Sequence, residues 1–402
     1  TQLVSAADGT VLWDSVYESR SHDVFAVQDS LTRAVAASLA STLGERDARA
    51  ESRASPVVAY VGRGTTDAEA YELYLKGRYY WHERGAANVV RSIEYFKQAI
   101  ARDPTFARAY AALAFAYDVY GIYVSDPADT LTPLVKASAQ RALTLDSTLA
   151  DVQTAMAIAR DRDKRFREAE SYYRAAIAAE PSNEFAHHAF GMMLVITGRT
   201  NEAIAELRQA TQLDPLAKSA GIGQAEALID ARRFRESEHE SRRILAIDST
   251  FPIALGSLGL AQAFEGQPDS AVRTLERAVR LYPELLMLRG RLLFAYAVAG
   301  RWDDVDRTRA ELRRPGGDPT GGALSAFADF VAGDREPLTR LVSTTAGLRR
   351  FFGVLRPTSS GVGCNPLADP LWADEHFRAA MQGLGLQMCP QARPWPIAPR
   401  SR

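Results

Sequence analysis

Between Ser147 and Pro283 the hydrophobic and small residues recur in blocks of equal length. The blocks close on Leu145-Asp146-Ser147, Ala179-Glu180-Pro181, Leu213-Asp214-Pro215, Ile247-Asp248-Ser249 and Leu281-Tyr282-Pro283, marks that fall 34 residues apart each time. The block ending at Pro215 places His187, Phe190-Gly191 and Leu194 on a first helix, Gly198 at a turn, and Ala203, Leu207 and Ala210 on a second helix. The block ending at Pro181 repeats this with Met156-Ala157, Ala169, Tyr173 and Ala176. The block ending at Pro283 carries Leu255, Leu258-Gly259, Gly266, Ala271, Leu275 and Ala278. Small side chains let two helices approach, and a large one three or four residues away fills the groove beside the contact. Proline stops the second helix, because it disfavours the α conformation in the residue before it, and suits the first turn of the next. One such hairpin cannot bury its own apolar face, so the pattern predicts stacked helical hairpins.

This period and wording resemble the tetratricopeptide repeat (TPR), a helix-turn-helix unit. The resemblance implies an all-α fold: a right-handed superhelical TPR solenoid of about six to seven hairpins plus a capping region. In such a superhelix the first helices line the concave face. The ninth position of each unit then offers Phe115, Ile158, Met192, Glu226, Leu260 and Phe294, with Phe185, His188, Ile196, Ile222, Ile229 and Phe264 nearby. The expected groove is apolar, with Glu226 the exception, and suits an extended or helical apolar segment. The Lys, Asn and Arg set that clamps acidic tails is missing from these positions. Met and aromatic residues at helical spacing equally describe core packing between repeats.

Outside the repeats, Gln2-Leu3-Val4-Ser5 and Val11 to Tyr17 flank Asp8-Gly9, a hairpin signal, and Val27, Leu31, Val35, Leu39 and Leu43 form one helical stripe. Residues 1–44 are similar in wording to the last hairpin and helix of the TolB-like module that precedes TPR arrays in bacterial signalling proteins. That resemblance implies an upstream kinase, cyclase or DNA-binding domain. Since the chain does not begin with Met, it is expected to be a processed chain or part of a longer one. Residues 45–65 read as a linker, and Thr66-Asp67-Ala68-Glu69 as a capping box with Thr66 as the cap. The array is placed at 66–316, with nine extra residues between Tyr120 and Thr132 predicting a protruding loop in which Tyr120 and Tyr123 are candidate partner contacts. A tolerated surface insertion is the alternative. Residues 317–389 read as degenerate capping helices, among them 323–331 and 336–342, and 390–402 as a Pro-rich arm around Trp395, either disordered or laid on a partner.

Composition narrows the function. With 48 Lys and Arg against 49 Asp and Glu, the net charge of −1 supplies no field to steer nucleic acid. No apolar run approaches the eighteen or so residues that cross a bilayer, and no secretory signal pattern is visible. The six histidines form no ligand pair at i, i+4, and Gly221-Ile222-Gly223 lacks the third glycine of a dinucleotide loop, so helix packing is its better reading. The sequence therefore predicts a protein without catalytic activity, cofactor, metal or small-molecule substrate. It predicts a protein-protein interaction scaffold or assembly subunit, docked on a membrane complex. The alternative is a sensor or regulatory region of a signalling protein. Cys364 and Cys389 flank the final helix, and a disulfide between them would contribute about 3 kcal/mol; two reduced thiols are the alternative. A disulfide goes with a periplasmic or extracytoplasmic place, and reduced thiols with a cytoplasmic one.

Overall fold

The structure, a computed structural model, describes residues 2–4, 11–14, 64–121, 123–124, 130–314, 316–344, 347–348, 350–351, 364–383 and 392–397. The chain divides into two compact units, residues 1–117 with 137–147 and residues 118–136 with 148–402. Each is described by itself.

In the first unit, strands β1 (Gln2–Val4) and β2 (Val11–Asp14) pair antiparallel, with Leu3 opposite Trp13. The helix expected after Asp23 and most of the linker lie outside the described residues. Helices α1 (Ala68–Glu83) and α2 (Ala86–Arg102) form a hairpin. Its start is capped by Asp67, whose carboxylate accepts from the Ala70 amide at 2.9 Å, and not by Thr66 as the sequence suggested. Asp67 wins because Thr65 fixes it from behind: the Thr65 hydroxyl accepts from the Asp67 amide at 3.1 Å and donates to Asp103 at 2.5 Å. A Cβ on Gly77 would stand 2.5 Å from the Phe96 ring, so glycine is what lets α1 and α2 touch. Phe106, just before the helix α3 (Ala107–Tyr120), packs against Tyr74, and Phe115 within the helix packs against Trp81. Helix α4 (Leu131–Leu145) begins in the second unit and ends in the first.

The second unit is built on hairpins α5 (Ala150–Arg162) with α6 (Phe166–Ala179), α7 (Glu184–Ile196) with α8 (Thr200–Leu213), α9 (Lys218–Asp230) with α10 (Phe234–Ile247), and α11 (Pro252–Phe264) with α12 (Pro268–Leu281). Helices α13 (Leu286–Val298) and α14 (Trp302–Leu312) follow, then α15 (Ala323–Val331), α16 (Glu336–Val342), a 3-10 helix (Pro366–Ala373) and α17 (Glu375–Gly383). Each second helix packs on its own first helix and on the first helix of the next hairpin, and successive first helices from α5 through α13 pack on one another. Among the described residues no helix is long and apolar enough to cross a membrane.

One turn is repeated through this unit. A residue with left-handed backbone stands at Lys164, Gly198, Arg232, Gly266 and Gly300, again 34 apart, with φ between 61° and 79°. The amide after it reaches back across the end of the first helix: Arg165 to Arg160, Arg199 to Leu194, Arg233 to Leu228, Gln267 to Gln262 and Arg301 to Tyr296, all at 2.8–2.9 Å. This is the Schellman closure, which satisfies helix-end carbonyls that would otherwise lack a donor. Between hairpins, Asp214 and Asp248 accept from the backbone amides of Leu216 and Thr250, two residues on, at 3.0 and 3.1 Å.

The close contacts and the turns call for glycine for different reasons. A Cβ at Gly259 would lie 2.4 Å from Leu275 Cγ, whereas one at Gly198 would meet nothing within 4 Å but would suffer at φ 79°. Gly259→Ala is therefore expected to cost about 1–3 kcal/mol by overpacking, and Gly198→Ala about 1–2 kcal/mol through backbone alone. Urea unfolding checks both, and a neutral Gly259→Ala would contradict the packing.

Candidate functional site

The ninth positions of the first helices, with the sixth positions one turn before them, mark the inner face that the repeat pattern leads one to expect in the second unit. Along α5 to α13 the sixth position reads Ala155, Ala189, Gly223, Ser257 and Arg291. The face thus runs from small residues to a full arginine. Its two ends have different fates.

At the start of the face, Phe185, His188 and Met192 on α7 are half-buried and reach solvent. The Phe185 ring lies 5.9 Å from His188. Met192 Sδ and the His188 ring border Gly223 of the next first helix, so part of this stripe is packing between repeats. Ile158 is buried. The adjacent histidines diverge as a helix requires. His187 is buried, its Nδ1 2.7 Å from Glu206 and its Nε2 3.1 Å from the Pro181 carbonyl. An acceptor at each nitrogen favours the protonated ring, and the Glu206 hydrogen bond, opposed by burial and helped by the Pro181 carbonyl, raises its pKa above the ordinary histidine value.

From α9 onward the face is closed. Glu226, expected as the polar exception in an open groove, is buried and accepts both oxygens' worth of hydrogen bonds from Arg291 Nη2, at 2.9 Å each. Ser257, between them, donates to Glu226 at 2.5 Å. Arg291 has 0% exposure, so this pair lies in the interior and ties three consecutive first helices together. Leu260 and Phe294 are fully buried too, in a cluster that also holds Ile196, Ile229, Leu367, Leu371 and Trp372. The sequence placed these residues in a groove but could not show what lies on top of them.

What lies on top is the chain's own C-terminal stretch. Phe234, Phe264 and Phe294 stack in a ladder at 4.8 and 4.9 Å, and Trp395 continues it edge-on, 5.2 Å from Phe294. Trp395 also meets Phe327 at 6.0 Å and Phe330 at 5.3 Å, and its indole Nε1 donates to the Pro366 carbonyl at 2.9 Å. Sequence reasoning missed the residue that anchors this stretch. Arg232 occupies the left-handed turn position where three of its repeat-mates carry glycine, and its guanidinium donates to the Cys364 carbonyl at 2.6 Å and to Asp369 at 2.5 Å. The signal was present: an arginine in a position that favours glycine is kept for its side chain.

In the first unit Phe115 is buried 6.4 Å from Trp81, a core residue of that unit. At the insertion, Tyr120 and Tyr123 are half-buried, and Arg162 ties the two ends by donating to Asp118 at 2.7 Å and Thr132 at 3.1 Å. Residues 122 and 125–129 lie outside the described residues. So does Cys389, and with it the expected disulfide. Cys364 is buried.

Residues 186–215 match the tetratricopeptide repeat family. The chain thus contains a tetratricopeptide repeat, and its five turns spaced 34 apart continue the same period on both sides of the match. Among curated proteins, "Putative adenylate cyclase 3" of Rhizobium meliloti (strain 1021) is 29% identical over 115 residues, 28% of this chain and 18% of that protein. The chain thus matches under a fifth of that relative's length. Similar solved structures include YrrB, a TPR protein with an unusual peptide-binding site, at 20% identity over 47% of this chain and 93% of that one, with a TM-score of 0.34. PilW, a type IV pilus biogenesis factor, is 19% identical over 52% and 96%, with a TM-score of 0.42. PilF of Pseudomonas aeruginosa is 19% identical over 56% and 95%, with a TM-score of 0.39.

Two outcomes follow from the buried charges. Glu226→Ala leaves a guanidinium without its carboxylate in the interior and is expected to cost about 3–5 kcal/mol, whereas Glu226→Leu combined with Arg291→Met should unfold within about 1–2 kcal/mol of the parent in urea. For His187 the folded pKa is raised. Its contribution is therefore complete below the unfolded value of about 6.5 and lost as pH rises through the folded one. Stability measured from pH 5 to 9 should fall across that window, and His187→Gln should flatten the fall; an unchanged profile would contradict the pairing.

Proposed function

We propose that this chain is a non-catalytic protein-interaction scaffold whose inner helical face receives extended apolar segments. One observation carries the reading: the face already seats such a segment in cis, residues 392–397, through Trp395. Ala392, Trp395 and Ile397 turn toward the cluster while Arg393, Pro394 and Pro396 stay exposed, so the segment lies on the surface with one side down. Phe185, His188 and Met192 are half-buried, and this is where a partner engages. The insertion at Tyr120 and Tyr123 adds a second contact.

A second reading is favoured by the similarity to the cyclase-named protein: the repeats serve as a sensor or regulatory region of a multidomain signalling protein, preceded by the TolB-like segment. In the first reading the scaffold docks on a membrane complex in an extracytoplasmic place with Cys364 and Cys389 bridged. In the second it is cytoplasmic with both thiols reduced. Peptide mapping without reductant separates them.

The full chain, used as bait in its native extract under mild detergent, tests the scaffold. His188→Asp with Met192→Asp removes apolar contact worth about 1.5–3 kcal/mol per side chain, so capture of the partner should fall at least about tenfold with unchanged circular dichroism. Equal capture would remove the open face from the account.

A further inference from the structure

The seat of Trp395 is a built receptor. Its floor is Phe294, Phe327 and Phe330, with ring centroids 5.2–6.0 Å from the indole. Its two polar points both accept hydrogen bonds. The Pro366 carbonyl takes the indole N–H at 2.9 Å, and Asp369 Oδ2 takes the Arg393 backbone N–H at 3.1 Å. Asp369 is itself a fixed group. Its side chain is 3% exposed, and its other oxygen is held by Arg232 at 2.5 Å. Thus the repeat turn at Arg232 positions the carboxylate that reads the arm's backbone.

These contacts specify an occupant. The indole must bring an N–H, which phenylalanine lacks and tyrosine presents elsewhere, so the Pro366 carbonyl selects tryptophan. Two residues earlier the backbone must bring an N–H, so proline is excluded there. The residue after the tryptophan faces solvent and the next turns inward, as Pro396 and Ile397 do. Prolines on either side of the tryptophan lower the entropy lost on seating an extended chain.

We infer that this receptor is a recognition site for a partner protein's extended segment, a tryptophan between two prolines with a non-proline residue two positions before it, and that the chain's own arm is its intramolecular placeholder. The inference rests on the scaffold reading above and names the chemistry of one partner. A tethered arm at an effective concentration of about 1 mM raises an intrinsic Kd of about 50 µM roughly twentyfold. A partner displaces it only by adding contacts, and the half-buried residues Phe185, His188 and Met192 lie on the same unit.

The probe is a fluorescein-labelled synthetic peptide with the sequence of residues 391–399, followed by anisotropy against the full chain. Trp395→Ala empties the seat and should bind it with a Kd of tens of µM, at least about tenfold tighter than the parent chain does. A peptide with alanine for tryptophan should not bind. Trp395→Phe keeps a ring in the seat and loses only the bond to Pro366, so it should fall between the two. This variant also serves if Trp395→Ala lowers the helical circular dichroism. The inference is overturned if the peptide binds neither variant, or binds the parent equally well. Concentration-dependent dimers of the parent that vanish in Trp395→Ala would overturn it as well, because they assign the seat to a second copy of the chain. Any of these results leaves the scaffold test with His188→Asp and Met192→Asp standing on its own.

Discussion

The close approach of helices at small residues is the constraint on which this molecule depends. Gly191 against Leu207 and Gly259 against Leu275 occupy the same place in two repeats, and a Cβ at either glycine would stand within 2.6 Å of the leucine opposite. A leucine can fill the contact only because its partner has no side chain. This sets the distance between the helices of a hairpin, and the repetition of that distance lets the next hairpin stack on the same terms. The turn has the same economy. One left-handed residue and one reach-back hydrogen bond end each first helix, five times over.

The chemistry of the inner face is layered on this regular frame and is itself graded. Where the sixth position is alanine or glycine, neighbouring first helices meet directly. Where it becomes Ser257 and then Arg291, a buried ion pair joins three helices. The exchange of small for large along the face coincides with its closure by the C-terminal stretch, which brings its own tryptophan to the end of a phenylalanine ladder. Arg232 links the two, since the turn that shapes a repeat also holds Asp369 and the Cys364 carbonyl.

The hairpins were legible because their determinants are local and periodic: Ala203, Leu207 and Ala210 recur as Ala271, Leu275 and Ala278, and each set is buried as its spacing requires. The divergence of His187 and His188 followed from adjacency on a helix. The state of the groove was not legible. Glu226 finds Arg291 sixty-five residues away, and Phe294 finds Trp395 about a hundred residues on, and no local pattern encodes either meeting. Lys164 and Arg232 escaped notice as turn residues because composition suggests glycine there, while the tertiary fold imposes the left-handed conformation on whatever side chain is present.

The inner face is filled by the chain itself at one end, and we propose that its other end takes a companion molecule. Hydroxyl-radical footprinting of the intact protein, with each residue's rate divided by its rate in the unfolded chain, tests it most directly. The account predicts marked protection of Phe294 and Phe330 beside substantial labelling of Phe185 and Met192. Phe294 and Phe330 labelling as readily as Phe185 would contradict it.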